Sequence, residues 1–145
     1  MDRWIGHAQR TLERGGYRLS TPRSVVVETL ADLGCRVTAK EIADRVRERG
    51  QDVGVASIYR TLELLDRLQL ARRVDMAEGA ARYEPVDPSG EHHHHLVCDS
   101  CGEVSPFEDR ELERAIERLA GRVAYAVDAH DVTLRGECPA CRTAD

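Results

Sequence analysis

Residues 92–102 read HHHHLVCDSCG, so four histidines directly precede a Cys-x-x-Cys pair. A second pair with the same two-residue gap lies near residue 140. Zn²⁺ favours four tetrahedral ligands, and a two-residue gap on a tight turn lets both sulfurs face one ion. The sequence therefore predicts a closed structural zinc site formed by Cys98, Cys101, Cys138 and Cys141. Two unrelated pairs, one of them a redox dithiol, are the alternative.

The four histidines suggest further metal sites. If this segment is extended, alternate side chains point to opposite faces, so His93 and His95 serve one metal while His92 and His94 serve another. A solvated polar loop is the alternative. Imidazole combined with carboxylate oxygens suits zinc, iron, manganese, cobalt or nickel. The candidate partners elsewhere in the chain are Glu84, Glu108, Glu113 and His130.

Composition indicates a folded protein of one domain or two small ones. The 145 residues are 41% hydrophobic and 32% charged. No apolar run approaches the roughly 18–20 residues of a membrane span. The N-terminus lacks the apolar stretch of a signal peptide, so we expect a cytoplasmic protein without a membrane partner. Its five cysteines are then expected to be reduced, which favours metal binding over disulfides.

The two halves of the chain differ in charge. Residues 1–83 carry 15 Lys and Arg against 12 Asp and Glu, whereas residues 84–145 carry 6 against 14. This asymmetry suggests two modules, one able to approach phosphates and one rich in oxygen ligands.

The first half has the apolar periodicity of three helices. Start and stop signals place them near 20–34, 38–50 and 56–70, the second opening with a capping box. Two short segments at 71–76 and 81–85, separated by a glycine, predict a hairpin. Three helices followed by a hairpin is the order of a winged helix-turn-helix, in which the third helix enters the major groove. That order is not unique to DNA-binding proteins.

The second half predicts a small α+β unit after a linker at 85–91. Short strands at 96–98 and 103–105 flank the first cysteine turn, and a helix covers 108–120. The valine-rich segment 123–134 predicts one or two further strands.

Together these features resemble the ferric uptake regulator family, which includes sensors of iron, zinc, nickel, manganese and peroxide. The likeness covers nearly the whole chain. It is carried, in the family's order, by Tyr17–Arg23, Gly54–Leu62, Arg82-Tyr83-Glu84, His92–Gly102 and Cys138-x-x-Cys141.

The resemblance implies an α+β protein with a winged-helix DNA-binding domain at 1–84, a hinge linker at 85–91 and a metal-binding dimerisation domain at 92–145. It implies a homodimer that binds a palindromic double-stranded operator and represses metal-homeostasis genes when the hinge site holds metal. A closed dimer would then fit two half-sites, and the metal-free form would be too open to fit them.

The resemblance also assigns residues. The DNA contacts are Arg18, Arg23, Ser57, Tyr59 and Arg60. Arg18 and Arg23 would contact phosphates, while Tyr59 and Arg60 would reach phosphates or base edges; a core role is the alternative for Tyr59. The hinge site comprises Glu84, His93 and His95; the second site comprises His92, His94, Glu113 and His130. The four cysteines hold the structural zinc.

The chain departs from the family at two positions near the hinge site. Arg36, with Cys35 beside it, stands where iron and peroxide sensors have a histidine, and Pro106 stands where they have an acidic residue. The fourth hinge ligand is therefore Cys35, Glu108 or water. The regulatory metal is expected to be Zn²⁺ or Fe²⁺, with Mn²⁺ and Ni²⁺ as alternatives.

Two other functions are alternatives for this chain. It would be either a zinc-ribbon module that binds only other proteins or a zinc hydrolase that uses Glu113 as its base. The hydrolase is disfavoured because the chain has no His-Glu-x-x-His motif. No catalysis is expected.

Overall fold

The computed structural model describes residues 2–76, 79–90 and 93–143. The chain divides into two compact units, Met1–Glu91 and His92–Asp145. No helix in the described residues is long and apolar enough to cross a membrane.

Within residues 2–76 and 79–90, the first unit contains four helices and a three-stranded sheet. Its elements are α1 (Asp2–Arg14), α2 (Thr21–Leu33), β1 (Val37–Thr38), α3 (Ala39–Glu48), α4 (Val55–Arg67), β2 (Ala71–Val74) and β3 (Arg82–Pro85). The strand order is β1-β3-β2, and both pairings are antiparallel. The predicted hairpin is confirmed, and β1 is an additional strand that the sequence did not predict.

The first helix, α1, was not predicted either. Trp4, Ala8 and Leu12 recur every four residues and are buried, so they form one apolar stripe. The Trp4 indole Nε1–H donates a hydrogen bond of 2.8 Å to the Leu70 carbonyl oxygen, which attaches α1 to the segment after α4. The unit therefore has four helices, and the expected recognition helix is the fourth.

Local signals determine the ends of the other helices. Thr38 accepts a hydrogen bond from the Glu41 backbone N–H, and the Glu41 side chain accepts one from the Thr38 backbone, so the predicted capping box is present. The expected third helix, α4, ends at Arg67 and not near residue 70. Gln69 has a φ of 57°, a left-handed conformation that stops a helix.

The second unit is built around a small sheet. Its elements are β4 (His94–Cys98), β5 (Val104–Phe107), α5 (Arg110–Arg122), β6 (Thr133–Gly136) and α6 (Pro139–Arg142), with strand order β5-β4-β6. β4 pairs antiparallel with β5 and parallel with β6. The α+β fold class is thus confirmed.

Several boundaries in this part of the chain differ from the expectation, among them those of β4 and β5, whose strands were expected at 96–98 and 103–105. The helix starts at Arg110 because Asp109 caps it, its side chain accepting a 2.8 Å hydrogen bond from the Leu112 N–H. Of the segment predicted as strands, only its last two residues, from Thr133, belong to one. Pro85, expected in the linker, is the last residue of β3.

Candidate metal centres and nucleic-acid interface

The four predicted zinc cysteines come together at one end of the second unit's sheet. β4 ends at Cys98, and its parallel neighbour β6 leads into Cys138, so both cysteine turns lie at the same end. The four sulfurs lie within 4.8 Å of one another, and the Sγ atoms of Cys101 and Cys138 are 3.9 Å apart. Four thiolates at 2.3 Å from a tetrahedral Zn²⁺ are about 3.8 Å apart, so the cluster fits zinc.

Backbone hydrogen bonds prepare one of these thiols for a metal. The N–H groups of Cys101 and Cys138 point to the Cys98 Sγ at 3.5 and 3.3 Å, and they lower the pKa of Cys98 to about 6. Hydrogen bonds with the other thiols, that of Cys138 first, raise the pKa of Cys141 to about 12. These hydrogen bonds favour the thiolate form of Cys98 and the protonated form of Cys141, and a metal held by all four sulfurs would favour the thiolate form of each.

A second cluster joins three of the predicted second-site residues. The Glu113 carboxylate is 2.6 Å from His94 Nε2 through one oxygen and 2.9 Å from His130 Nε2 through the other. The Val132 N–H donates to His94 Nδ1 at 3.2 Å, which orients Nε2 towards Glu113. One ligand atom from each of these three residues lies within 4.8 Å of those of the other two, a spacing that fits one ion. The fourth expected ligand, His92, lies outside the described residues.

The expected hinge ligands belong to different units. Glu84 lies on β3 of the first unit and is 6% exposed. His93 and His95 lie in the second unit, where their rings meet edge to face with centroids 4.9 Å apart. The pair is thus on one side of the histidine run, while His94 belongs to the cluster with Glu113. That separation agrees with the alternation expected for an extended segment.

One acidic residue near these histidines was not predicted. The Asp131 Oδ1 lies 3.9 Å from Nδ1 of His95, a histidine with no exposed surface. The sequence feature that could have indicated Asp131 is its position directly after the candidate ligand His130. Of the two side chains considered for a fourth ligand, Glu108 is exposed and Cys35 is half-buried. Burial, together with the charge of Glu84, raises the pKa of the Cys35 thiol.

The expected DNA contacts on α4 lie on its outer side. Tyr59 is 45% exposed and Arg60 is exposed, whereas Ile58 and Leu62 are fully buried. Tyr59 is therefore not a core aromatic, and that alternative is wrong. Ser57 is half-buried near the start of the helix.

The two expected phosphate contacts flank the start of α2. Arg18 is exposed, and Arg23 is half-buried in the first turn of the helix. The Arg23 guanidinium donates a hydrogen bond to the Arg18 carbonyl oxygen, which fixes its direction.

The second unit exposes much of its apolar surface. α5 has no buried residue, although Leu112, Ile116 and Leu119 recur at helical spacing. Large apolar side chains at least 44% exposed in this unit are Leu96, Leu119, Val123, Tyr125, Val127 and Leu134. Monomeric proteins rarely expose a patch of this kind, and such patches mark interaction sites.

Comparisons with known proteins agree with one another. A model described as the ferric uptake regulator family matches residues 14–135. The ferric uptake regulation protein of Bacillus subtilis is 30% identical over 143 residues, 97% of this chain and 96% of that protein. The protein of the same name from Neisseria meningitidis serogroup C is 31% identical over 145 residues, 98% of this chain and 96% of that one. The crystal structure of the Vibrio cholerae ferric uptake regulator superposes with a TM-score of 0.78 at 28% identity, covering 89% of this chain and 98% of that chain.

Proposed function

Because the chain belongs to the ferric uptake regulator family, we propose that it is a metal-dependent DNA-binding repressor of metal-homeostasis genes that works as a homodimer. The resemblance drawn from the sequence is confirmed. Proteins of this family regulate transcription, so we assign this chain no reaction of its own. We place it in the cytoplasm, beside the DNA that it regulates.

The observation that carries this function is the two-sided character of α4. One side, with Ile58 and Leu62, is buried in the core, and the other presents Tyr59 and Arg60 to solvent. In a winged helix this helix enters the major groove, where arginine pairs with guanine more often than any other specific contact. Arg18 and Arg23 would add phosphate contacts that position the protein without specifying sequence.

Regulation is proposed to come from a metal held by Glu84, His93 and His95, with Cys35, Glu108 or water as the fourth ligand. Glu84 belongs to the first unit and the two histidines to the second. One ion held by all three would favour a single arrangement of the units. It would shift that equilibrium only as far as its affinities for the two arrangements differ. The ion is Zn²⁺ or Fe²⁺, with Mn²⁺ or Ni²⁺ as alternatives.

The other two metal centres are proposed to act within the second unit. Cys98, Cys101, Cys138 and Cys141 would hold a structural Zn²⁺, whose binding free energy contributes to folding. His94, Glu113 and His130, with His92, would hold a second ion that ties α5 to β4. The exposed apolar side chains of the unit would be covered by the same face of a second copy, as in a two-fold dimer.

The test is fluorescence anisotropy of a palindromic operator probe, with protein that carries its structural zinc. Zn²⁺, Mn²⁺, Fe²⁺ and Ni²⁺ are added separately at fixed salt, because salt alone changes such affinities strongly. We expect one metal to tighten DNA binding at low free concentration. If none does, the hinge site is not a switch, and a zinc-ribbon module that binds only proteins becomes the better hypothesis.

Two variants separate the roles of the residues. Arg60→Ala should abolish operator binding with every metal while metal binding stays unchanged, and Arg67→Ala, on the same helix, is the matched control. His93→Ala should remove the metal response but leave the zinc content at its normal level. Loss of structural zinc from His93→Ala would contradict the division into structural and regulatory sites.

A further inference from the structure

Glu84 lies between two guanidinium groups, one from Arg72 on the neighbouring strand β2 and one from Arg36, the residue just before β1. Its Oε2 atom is 3.8 Å from Nε of Arg36, and its Oε1 atom is 3.9 Å from an Nη atom of Arg72. Glu84 and Arg36 are 6% and 3% exposed, whereas the Arg72 side chain is 42% exposed. Each oxygen of this carboxylate therefore faces a cation of the protein itself.

The strand register produces this arrangement. β2 pairs with β3 so that Arg72 lies directly opposite Glu84. On the other edge of β3, Val37 lies opposite Tyr83, which brings the preceding residue, Arg36, close to Glu84, the residue after Tyr83. Opposite charges at such cross-strand positions attract each other.

Glu84 offsets part of the charge of the buried Arg36. A guanidinium stays protonated, and a buried charge is costly unless it is paired. Arg36 also has a φ of 51°, a conformation that is unfavourable for a residue with a side chain. A hydrogen bond of 2.7 Å from the Arg82 guanidinium to the Arg36 carbonyl oxygen helps to hold it there. The fold thus keeps a positive charge beside Glu84.

We propose that Arg36 competes with the regulatory metal for Glu84 and thereby selects against metals that need a carboxylate oxygen. The inference rests on the proposed function, because Glu84 is one of the three ligands assigned there. Hard ions such as Mn²⁺ bind mainly through oxygen, whereas Zn²⁺ binds well through imidazole and thiolate. A divalent ion on Glu84 would break its pairing with Arg36 and lie close to the guanidinium, so Mn²⁺ loses more affinity than Zn²⁺.

The test compares Arg36→Met with the control Arg73→Met. Arg73 lies on the same strand as Arg72 but pairs with Asp75 at 3.0 Å, so its replacement changes the net charge equally without reaching Glu84. Dissociation constants for Mn²⁺ and Zn²⁺ are measured by chelator competition, without DNA, on protein that carries structural zinc. Arg36→Met should tighten Mn²⁺ binding by about tenfold or more, because Glu84 would no longer be paired with a buried cation and its oxygens would be available to an ion that depends on them.

Zn²⁺ binding should tighten by less than about threefold, since its affinity depends on the nitrogen and sulfur ligands. Unchanged Mn²⁺ affinity, or equal tightening of both metals, overturns the proposal. In a Glu84→Gln background, Arg36→Met should have no effect on Mn²⁺ affinity, and a persisting effect would show that Arg36 acts by another route.

If Arg36→Met does not fold, the more exposed arginine beside Glu84, Arg72, provides a second variant. Arg72→Met should then shift Mn²⁺ affinity in the same direction by a smaller factor, and no shift overturns the proposal.

Operator binding is measured separately. If the wild type never binds the operator but the Mn²⁺ to Zn²⁺ ratio shifts as stated, the proposed function fails and the competition stands. If the operator response is metal-dependent and the ratio does not shift, the competition alone fails.

Discussion

The two units of the chain bury very different amounts of apolar side chain. Among the described residues, 19 buried hydrophobic side chains form the core of the first unit, whereas the second unit has only two buried hydrophobic side chains, Val97 and Cys98. The first unit is held by packing between helices and sheet. The second has too small a core for that, and we propose that bound metal and a second copy of the chain stabilise it.

The largest expected effect is on zinc binding by the second unit. Cys141→Ser should remove the structural zinc and unfold this unit, because zinc sites of this kind supply about 10 kcal/mol or more of apparent binding free energy. Hydrogen exchange should show protection lost across 93–143 and retained in 2–76. Cys35→Ser is the control and should keep its structural zinc. Full protection of 93–143 in zinc-free protein would show that packing alone suffices there.

Truncation of a core side chain tests the packing of the first unit. Leu65 is fully buried, and Leu65→Ala should lower the free energy of unfolding of the first unit by about 2–5 kcal/mol. Urea unfolding followed by hydrogen exchange reports this loss, while the zinc content stays constant. A loss below about 1 kcal/mol would contradict the tightly packed core assigned to this unit.

A third variant tests whether the exposed apolar side chains of the second unit form the dimer interface. Leu119 is 47% exposed on α5, and Leu119→Asp should weaken the dimer by about tenfold or more, because a charge would be buried at the interface. Sedimentation measures the change, with Arg118→Ala on the same helix as the control. A dimer of normal strength would place the interface elsewhere on the unit.

The smallest expected effects concern two helix caps. Thr38 caps α3 in the first unit and Asp109 caps α5 in the second, and either residue replaced by Ala should cost about 1 kcal/mol. Thr38→Ala should destabilise zinc-loaded and zinc-depleted protein equally. Asp109→Ala should act only on zinc-loaded protein, since its helix unfolds without zinc. Equal effects of Asp109→Ala in both forms, measured by hydrogen exchange, would contradict that dependence.

Short-range patterns account for most of what could be predicted from the sequence. The cysteine gaps specify their cluster, and the capping box at Thr38 specifies the start of α3, because both depend on neighbouring residues. The apolar stripe of α1 consists of Trp4, Ala8 and Leu12, and three residues are too few to give a clear helical period in the sequence.

The pairing of Arg36 with Glu84 could not be read in the same way. It depends on β1, a strand of two residues that leaves no periodic signal, and on a register set by packing across the sheet. The sequence presents Arg36 only as a departure from the family's histidine. Asp131 was missed for a similar reason, since its closeness to His95 depends on how β6 returns to β4.

The parallel pairing of β4 and β6 has a consequence for the order in which the chain folds during synthesis. The first unit ends at Glu91, so it can fold once residues 1–91 have left the ribosome. The central strand of the second unit must wait for Thr133–Gly136, and its zinc ligands must wait for Cys141. The nascent chain can therefore complete the fold of its first unit before residues 133–141 of the second unit are made, and binding of a partner through the second unit would come later.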